Sequence, residues 1–311
     1  MTNKNSGNVI LGYTTGVPAE GLYPFLLSLK KIDFDGQVVL FCDPKTRKAL
    51  GALNLPFLSM YKAEFVNSSL KKILKSQNLR LWKYFRKYGS FSRVTKSNLT
   101  HKLFWIYPWA DLFLAPHCIR YFHYLSYLLK NRDSIRQVLL ADTRDIYFQS
   151  DPFSKLSENA LVLAWENEKN IIKSNEYNRE WIRAGYGEIK VEELGDCRIS
   201  CSGTTMGSIG KILDYLNLMV FDLVFVNQRV HKGKGIDQGV HNRLLHEGRL
   251  PEHTFSENGQ GPILTLAAED YKTIQFSHNQ FLNNDGEIIP IIHQYDRFPE
   301  LSEMIQKTYS C

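Results

Sequence analysis

The chain predicts an α/β fold with a mixed, mostly parallel sheet flanked by helices in a single globular unit, and three observations carry that reading. Asn8 to Tyr13 and Gln37 to Cys42 are short apolar runs. Between them a helical stretch from about Ala19 to Lys31 sets Leu22, Phe25, Leu26 and Leu29 on one face, which makes a βαβ unit with a right-handed crossover. Further on, Val138 to Ala141 reads as a fully buried strand that stops on Asp142, with Asp145 three residues later and Asp-Pro-Phe at 151–153. Third, 311 residues at 43% hydrophobic composition allow a large core, in one domain or two abutting halves.

The remaining elements follow in order. Tyr61 to Phe65 suggests a third strand. Pro116 starts a helix that runs to about Asn131, with Ile119, Phe122, Leu125 and Leu129 on its apolar side. Arg120, His123, Tyr127 and Lys130 form another stripe on that helix. Leu161 to Trp165 is a further strand, and 166–196 reads as a polar loop with short helices. Ser200 to Gly207 is rich in Gly, Thr and Ser; Ile209 to Val226 is a strongly apolar helix. Gly235 to His246 is a short helix closed by Gly248. Two strand-like runs, 262–267 and 287–292, lead to His293.

A net charge of +6 favours anionic partners such as nucleotides, phospholipids or acidic glycans, and no recognition motif directs it to nucleic acid. The five cysteines are odd in number and show no zinc spacing, so free thiols are expected. The first residues lead into an apolar run too short for a signal peptide, and no run reaches membrane-spanning length, so a cytoplasmic protein is expected. Residues 67–102 alternate Lys and Arg with Leu, Trp, Tyr and Phe. They read either as a solvated surface helix or as a basic, aromatic face for peripheral contact with anionic lipid or a charged acceptor.

The strand end at Asp142 carries the chemistry. Side chains at the carboxyl end of a parallel strand enter the crevice where α/β proteins bind ligands. Two carboxylates there repel one another unless a positive charge sits between them, and a hard divalent cation bound through oxygen is the usual one. The alternative is a plain turn, capped by Asp142, with Asp145 paired to Arg144. Asp237 has a competing reading as a helix N-cap, and His293 as a satisfied core histidine. Cys201 reads as a small buried residue.

Four segments stand in a telling order: Tyr13-Thr14-Thr15, Asp142-Thr143-Arg144-Asp145, Ser200-Cys201-Ser202-Gly203-Thr204-Thr205-Met206-Gly207, and Ile236-Asp237-Gln238-Gly239-Val240-His241-Asn242. Together they resemble the metal-dependent GT-A (Rossmann-like) glycosyltransferases, nearest to the glycogenin and bacterial galactosyltransferase type, over nearly the whole chain. The third segment is similar to that type's Asn-Ala/Ser-Gly-x-x-x-Gly and the fourth to its Asp-Gln-x-x-x-Asn. The resemblance implies a retaining hexosyltransferase using a nucleotide-diphosphate sugar, a UDP-sugar above all, on a glycan or lipid-linked acceptor in polysaccharide biosynthesis. It implies a nucleotide-sugar-binding half at 1–153 and an acceptor-binding half at 154–311 of one domain. It further implies Mn²⁺ or Mg²⁺ on Asp142, Asp145 and His293; donor contacts from Tyr13, Thr14, Thr15, Arg120, Arg144, Ser202 and Gly203; and Asp237 and Gln238 beneath the anomeric carbon. Leu140 departs from the pattern, standing where one alignment puts the first Asp of DxD, so the motif is DxRD. That departure leaves a second expectation, a nucleotide-sugar-binding protein without turnover. A haloacid-dehalogenase-type phosphatase is excluded, because Arg144 stands where its second Asp is required.

Overall fold

The computed structural model describes residues 7–64, 114–226, 235–267 and 269–310. The basic, aromatic 67–102 segment lies outside them. Three strands that are apolar on both faces form the middle of the fold: β1 (Asn8–Thr14), β2 (Gln37–Cys42) and β4 (Gln137–Ala141). With β3 (Leu58–Lys62), β6 (Leu161–Trp165), β7 (Ser200–Ser208) and β8 (Thr254–Ser256) they make a seven-stranded sheet ordered β3-β2-β1-β4-β7-β6-β8. The pairs β1/β2, β1/β4, β2/β3 and β6/β8 are parallel, while β7 runs antiparallel to both β4 and β6. The mixed, mostly parallel sheet is thus as the sequence predicts, and it runs unbroken from residues before 153 to residues after it. A consequence matters for function: the carboxyl ends of β1, β2, β4 and β6 all lie at one sheet edge, which the amino end of β7 joins.

Helices cover both faces. On one lie α1 (Tyr23–Lys31) and α2 (Pro44–Gly51), and on the other α3 (Pro116–Asn131), α6 (Ile209–Phe225) and α7 (Ile236–His246), each side with its own apolar cluster. Between β6 and β7 stand α4 (Glu176–Tyr186) and α5 (Glu188–Leu194). A second sheet, ordered β5-β12-β9, joins β5 (Ile146–Phe148), β9 (Ile263–Thr265) and β12 (Ile291–His293). A hairpin of β10 (Phe276–Ser277) and β11 (Gln280–Phe281) and a last helix, α8 (Pro299–Thr308), complete the described chain.

Several local expectations shift. The helix expected from Ala19 begins as a 3-10 turn at Ala19–Leu22, and the α-helix starts where Pro24 fits its first turn. The third strand, Leu58–Lys62, starts earlier than expected and shares only Tyr61 and Lys62 with the run expected at 61–65. Helix α2 was not expected, although Asp43-Pro44, an N-cap followed by a first-turn proline, signals it; the Asp43 side chain accepts from the Lys45 and Thr46 N–H groups at 3.0 Å each. The Gly/Thr/Ser-rich 200–207 stretch forms most of β7, buried throughout, because small side chains fit between β4 and β6. Among the described residues Cys42, Cys118, Cys197 and Cys201 are free thiols, and no helix is long and apolar enough to cross a membrane.

Candidate active site at the strand-end edge

Side chains alternate along β4, so Val138 and Leu140 enter the α3-side cluster while Leu139 and Ala141 enter the other. Leu140 is 3% exposed and belongs to the core. The next residue on its side of the strand is Asp142, the first to leave the sheet, and its amide donates to the Gly203 carbonyl at 2.8 Å. The chain then turns through Thr143 and Arg144. Thr143 packs over Gly12, where a Cβ would lie 2.3 Å from Thr143 Cγ2, and its hydroxyl donates to the Tyr13 carbonyl at 3.4 Å. Asp145 ends the turn and leads into β5.

His293 reaches the same point through the second sheet. It pairs with Ile146 across the antiparallel β5–β12 ladder and with Thr265 across β9. The amide of Gln294, in a left-handed conformation, donates to the Asp145 carbonyl at 2.7 Å, which ties the two ends together. His293 is fully buried, and its Nε2 stands 3.6 Å from Asp142 Oδ2 and 3.6 Å from Asp145 Oδ1. Ligand atoms of all three residues lie within 4.8 Å of one another.

The fit to a divalent cation rests on two further features. Nε2 is a buried nitrogen without a hydrogen bond, an arrangement that is costly unless a ligand completes it. Gly203 leaves the space: a Cβ there would lie 2.6 Å from Asp142 Oδ2 and 2.8 Å from His293 Cε1. Two carboxylates and an imidazole suit Mn²⁺ or Mg²⁺, with the nitrogen favouring Mn²⁺. Gly203→Ala should therefore keep the fold and weaken Mn²⁺ affinity by about tenfold or more, the scale on which supporting contacts act on metal sites. A manganese titration in which the variant matches the parent would show that this space is not the cation's.

The electrostatics agree. Burial pulls the His293 imidazole down, but its neighbours Cys201, Asp145 and Asp142 more than offset this and hold it well above the usual histidine range. Burial also works against the charged form of Asp142, yet Arg120 and His293 hold it well below the usual carboxylate range. Asp145 is raised by burial, with Asp142 and Asp296 adding and His293 and Arg144 opposing. Without metal, His293 is thus a cation between two carboxylates. Its stabilising effect is fully present below the unfolded histidine value of about 6.5 and is lost as pH rises through the raised folded value. Metal ligation needs the neutral ring, so proton and metal compete. Mn²⁺ affinity should rise as pH increases, with proton release on binding; calorimetry in buffers of different ionisation enthalpy would measure it, and a pH-independent affinity with no proton release would contradict it.

Arg120, on α3, takes a more central place than a peripheral phosphate contact. Its guanidinium pairs with Asp142 and, at 2.8 Å, with Asp237. It bridges the carboxylate cluster and α7. Asp237 is not the N-cap of α7, a place held by Gly235; its buried carboxylate accepts from Arg120 and from the Tyr121 hydroxyl at 3.4 Å. Arg144 sits half-exposed and donates to Asp296 at 3.1 Å, away from Asp145. Arg297 stands 3.8 Å from Asp145 Oδ2.

Gln238 and Asn242, one helical turn apart on α7, face β7 together. The β6–β7 register jumps from Leu163↔Thr205 to Ala164↔Cys201, so Ser202, Gly203 and Thr204 bulge and have no partner on β6. Gln238 supplies a partner within the bulge, and both amides hold Ser200 just before it. Gln238 Oε1 accepts from the Ser202 N–H at 2.7 Å, and its Nε2 donates to the Ser200 carbonyl at 2.9 Å. Asn242 accepts from the Ser200 N–H at 2.9 Å and donates to the Ser200 carbonyl at 3.0 Å. The expected presentation of the Gln238 carbonyl to a sugar must thus share an oxygen already bonded to Ser202. That bulge carries Gly203 to the metal ligands.

At the other end of the edge, the Tyr13 hydroxyl donates to the Ala63 carbonyl at 3.1 Å and its ring lies 5.6 Å from His123. Thr14 is buried, and Thr15 leads to Gly16, whose amide donates to Asp43 Oδ2 at 3.2 Å. Glu166, just past β6, was not anticipated. Its buried carboxylate accepts from Asn170 Nδ2 at 2.6 Å and Gln238 Nε2 at 3.4 Å, and burial, opposed by His293 and Asn170, pushes it up to about 7. The signal was present: like Asp142, Glu166 is a carboxylate directly after an apolar strand.

No family model matches the chain, and neither does any curated protein. Among solved structures, that of an active-site mutant of LgtC is similar over 95% of both chains, with 13% identity and a TM-score of 0.48.

Proposed function

We propose that the chain is a metal-dependent glycosyltransferase of the GT-A type that moves a sugar from a nucleotide-diphosphate sugar, a UDP-sugar first, to a glycan or lipid-linked acceptor with retention at the anomeric carbon. The observation that carries this reading is the convergence of Asp142, Asp145 and His293 at the strand-end edge, with the His293 Nε2 left without a hydrogen bond. The four sequence segments that resemble the GT-A enzymes all border that edge.

On this reading Asp142, Asp145 and His293 hold Mn²⁺ or Mg²⁺, which when bound acts as a Lewis acid for the departing diphosphate. Tyr13, Thr14 and Thr15 line the base and ribose, in a nucleotide-binding half at 1–153. Residues 154–311 provide the acceptor side. Arg120 lies between the metal ligands and Asp237, so it serves the donor's phosphate or sugar with charge-assisted hydrogen bonds. Arg144 and Arg297 are placed at the outer rim. Ser202 and Gly203 shape the sugar floor, and Asp237 contacts the sugar hydroxyls. Gln238, anchored to Ser200 and Ser202, offers its remaining lone pair to the anomeric centre and keeps that floor in register.

Retention is favoured over inversion because Asp237 Oδ2 is already engaged by the Arg120 guanidinium and the Tyr121 hydroxyl. The test is incubation with a panel of α-linked nucleotide-sugars and acceptors, followed by NMR of the product anomer. An α product supports the reading, and a β product replaces it with an inverting one.

A further inference from the structure

Cys201 stands where the resembled Asn-Ala/Ser-Gly segment has Asn, and it is 3% exposed. Its sulfur lies 3.6 Å from His293 Nδ1, on the side of the ring away from Asp142 and Asp145. Among the described residues no other polar group is hydrogen-bonded to that ring. A histidine that binds metal through one ring nitrogen needs its proton on the other, and a partner for that proton fixes both tautomer and ring plane. A carboxylate, a carbonyl or a water usually does this; sulfur is a weaker acceptor.

We propose that Cys201 is a positioning residue for the metal site: its sulfur accepts the His293 Nδ1–H and holds Nε2 facing Asp142 and Asp145. The inference rests on the metal-site reading above. Cys201 touches no substrate and acts through His293 alone. Its place in β7 is fixed by pairing with Ala164, at the start of the bulge that Gln238 and Asn242 secure.

Cys201→Ala and Cys201→Ser test this with Mn²⁺ alone, no donor present, by counting free ion in its paramagnetic resonance spectrum. Cys201→Ala should lower affinity about tenfold, the lower end of the range for losing such a partner. Cys201→Ser, whose hydroxyl can accept, should recover most of that loss. In Co²⁺-loaded protein the paramagnetically shifted, exchangeable ring N–H signal of His293 should move in Cys201→Ser and exchange faster in Cys201→Ala. Thermal melting of the metal-free variants separates these effects from a loss of folding. Parent-like affinity in Cys201→Ala, or an unmoved ring N–H signal, would overturn the proposal and leave the metal site standing. A parent protein that binds no Mn²⁺ would overturn the metal-site reading itself, and this inference with it.

Discussion

Replacing both Asp142 and Asp145 by Asn should abolish metal-dependent donor binding. Each Asn keeps the size and one carbonyl oxygen but removes the charge that a hard cation selects. Only His293 would remain of the three ligands, so Mn²⁺ affinity should fall beyond the roughly 10–100-fold range that follows loss of one supporting partner. Folding should survive, because Asp142 is partly exposed, Arg120 keeps its pairing with Asp237, and His293 can become neutral once both carboxylates are gone. Calorimetric titration of Mn²⁺ and of UDP in its presence would measure the change. A double variant that binds both like the parent would remove the metal-site assignment.

Arg120→Met should cost about 3–5 kcal/mol of stability, the scale for leaving a buried charge without its partner. Arg120 and Asp237 are 12% and 5% exposed, so water cannot replace the lost guanidinium at Asp237. Asp142 loses its counter-charge at the same time. Arg120→Lys should restore part of the stability, since one ammonium cannot reproduce a planar fork directed at two carboxylates. Denaturant titration of the metal-free protein decides the matter. A change within about 0.5 kcal/mol, typical of a surface substitution, would show that Arg120 is not the bridge described.

Much of the fold was legible because its central strands are apolar on both faces. β1, β2 and β4 read directly from the sequence, as did the proline that begins α3. What escaped were the elements set by partners distant in the chain. β7 has few large apolar residues, and it is a strand because β4 and β6 enclose it on both sides. β5 is three residues long, too short for a periodic signal, yet it pairs with β12 to bring His293 to Asp145, whereas β9 and β12 fall on the strand-like runs expected at 262–267 and 287–292. The candidate ligands could be named from strand-end chemistry and resemblance. The roles of their neighbours could not: that Arg120 bridges two carboxylates, that Gln238 and Asn242 hold β7 beside its bulge, and that Cys201 meets His293 are tertiary facts. Glu166 was missed although the rule that singled out Asp142 applies to it.

The most direct measurement is slow hydrolysis of the donor in the absence of acceptor. Purified protein incubated with UDP-sugars should release UDP in the presence of Mn²⁺, stop on addition of a chelator and resume when Mn²⁺ is restored. Tight nucleotide binding with no metal dependence and no UDP release, across a panel that includes other nucleotide-sugars, would contradict the account. It would identify the chain instead as a binding protein in which Leu140, buried where the first Asp of DxD would stand, marks the loss of catalysis.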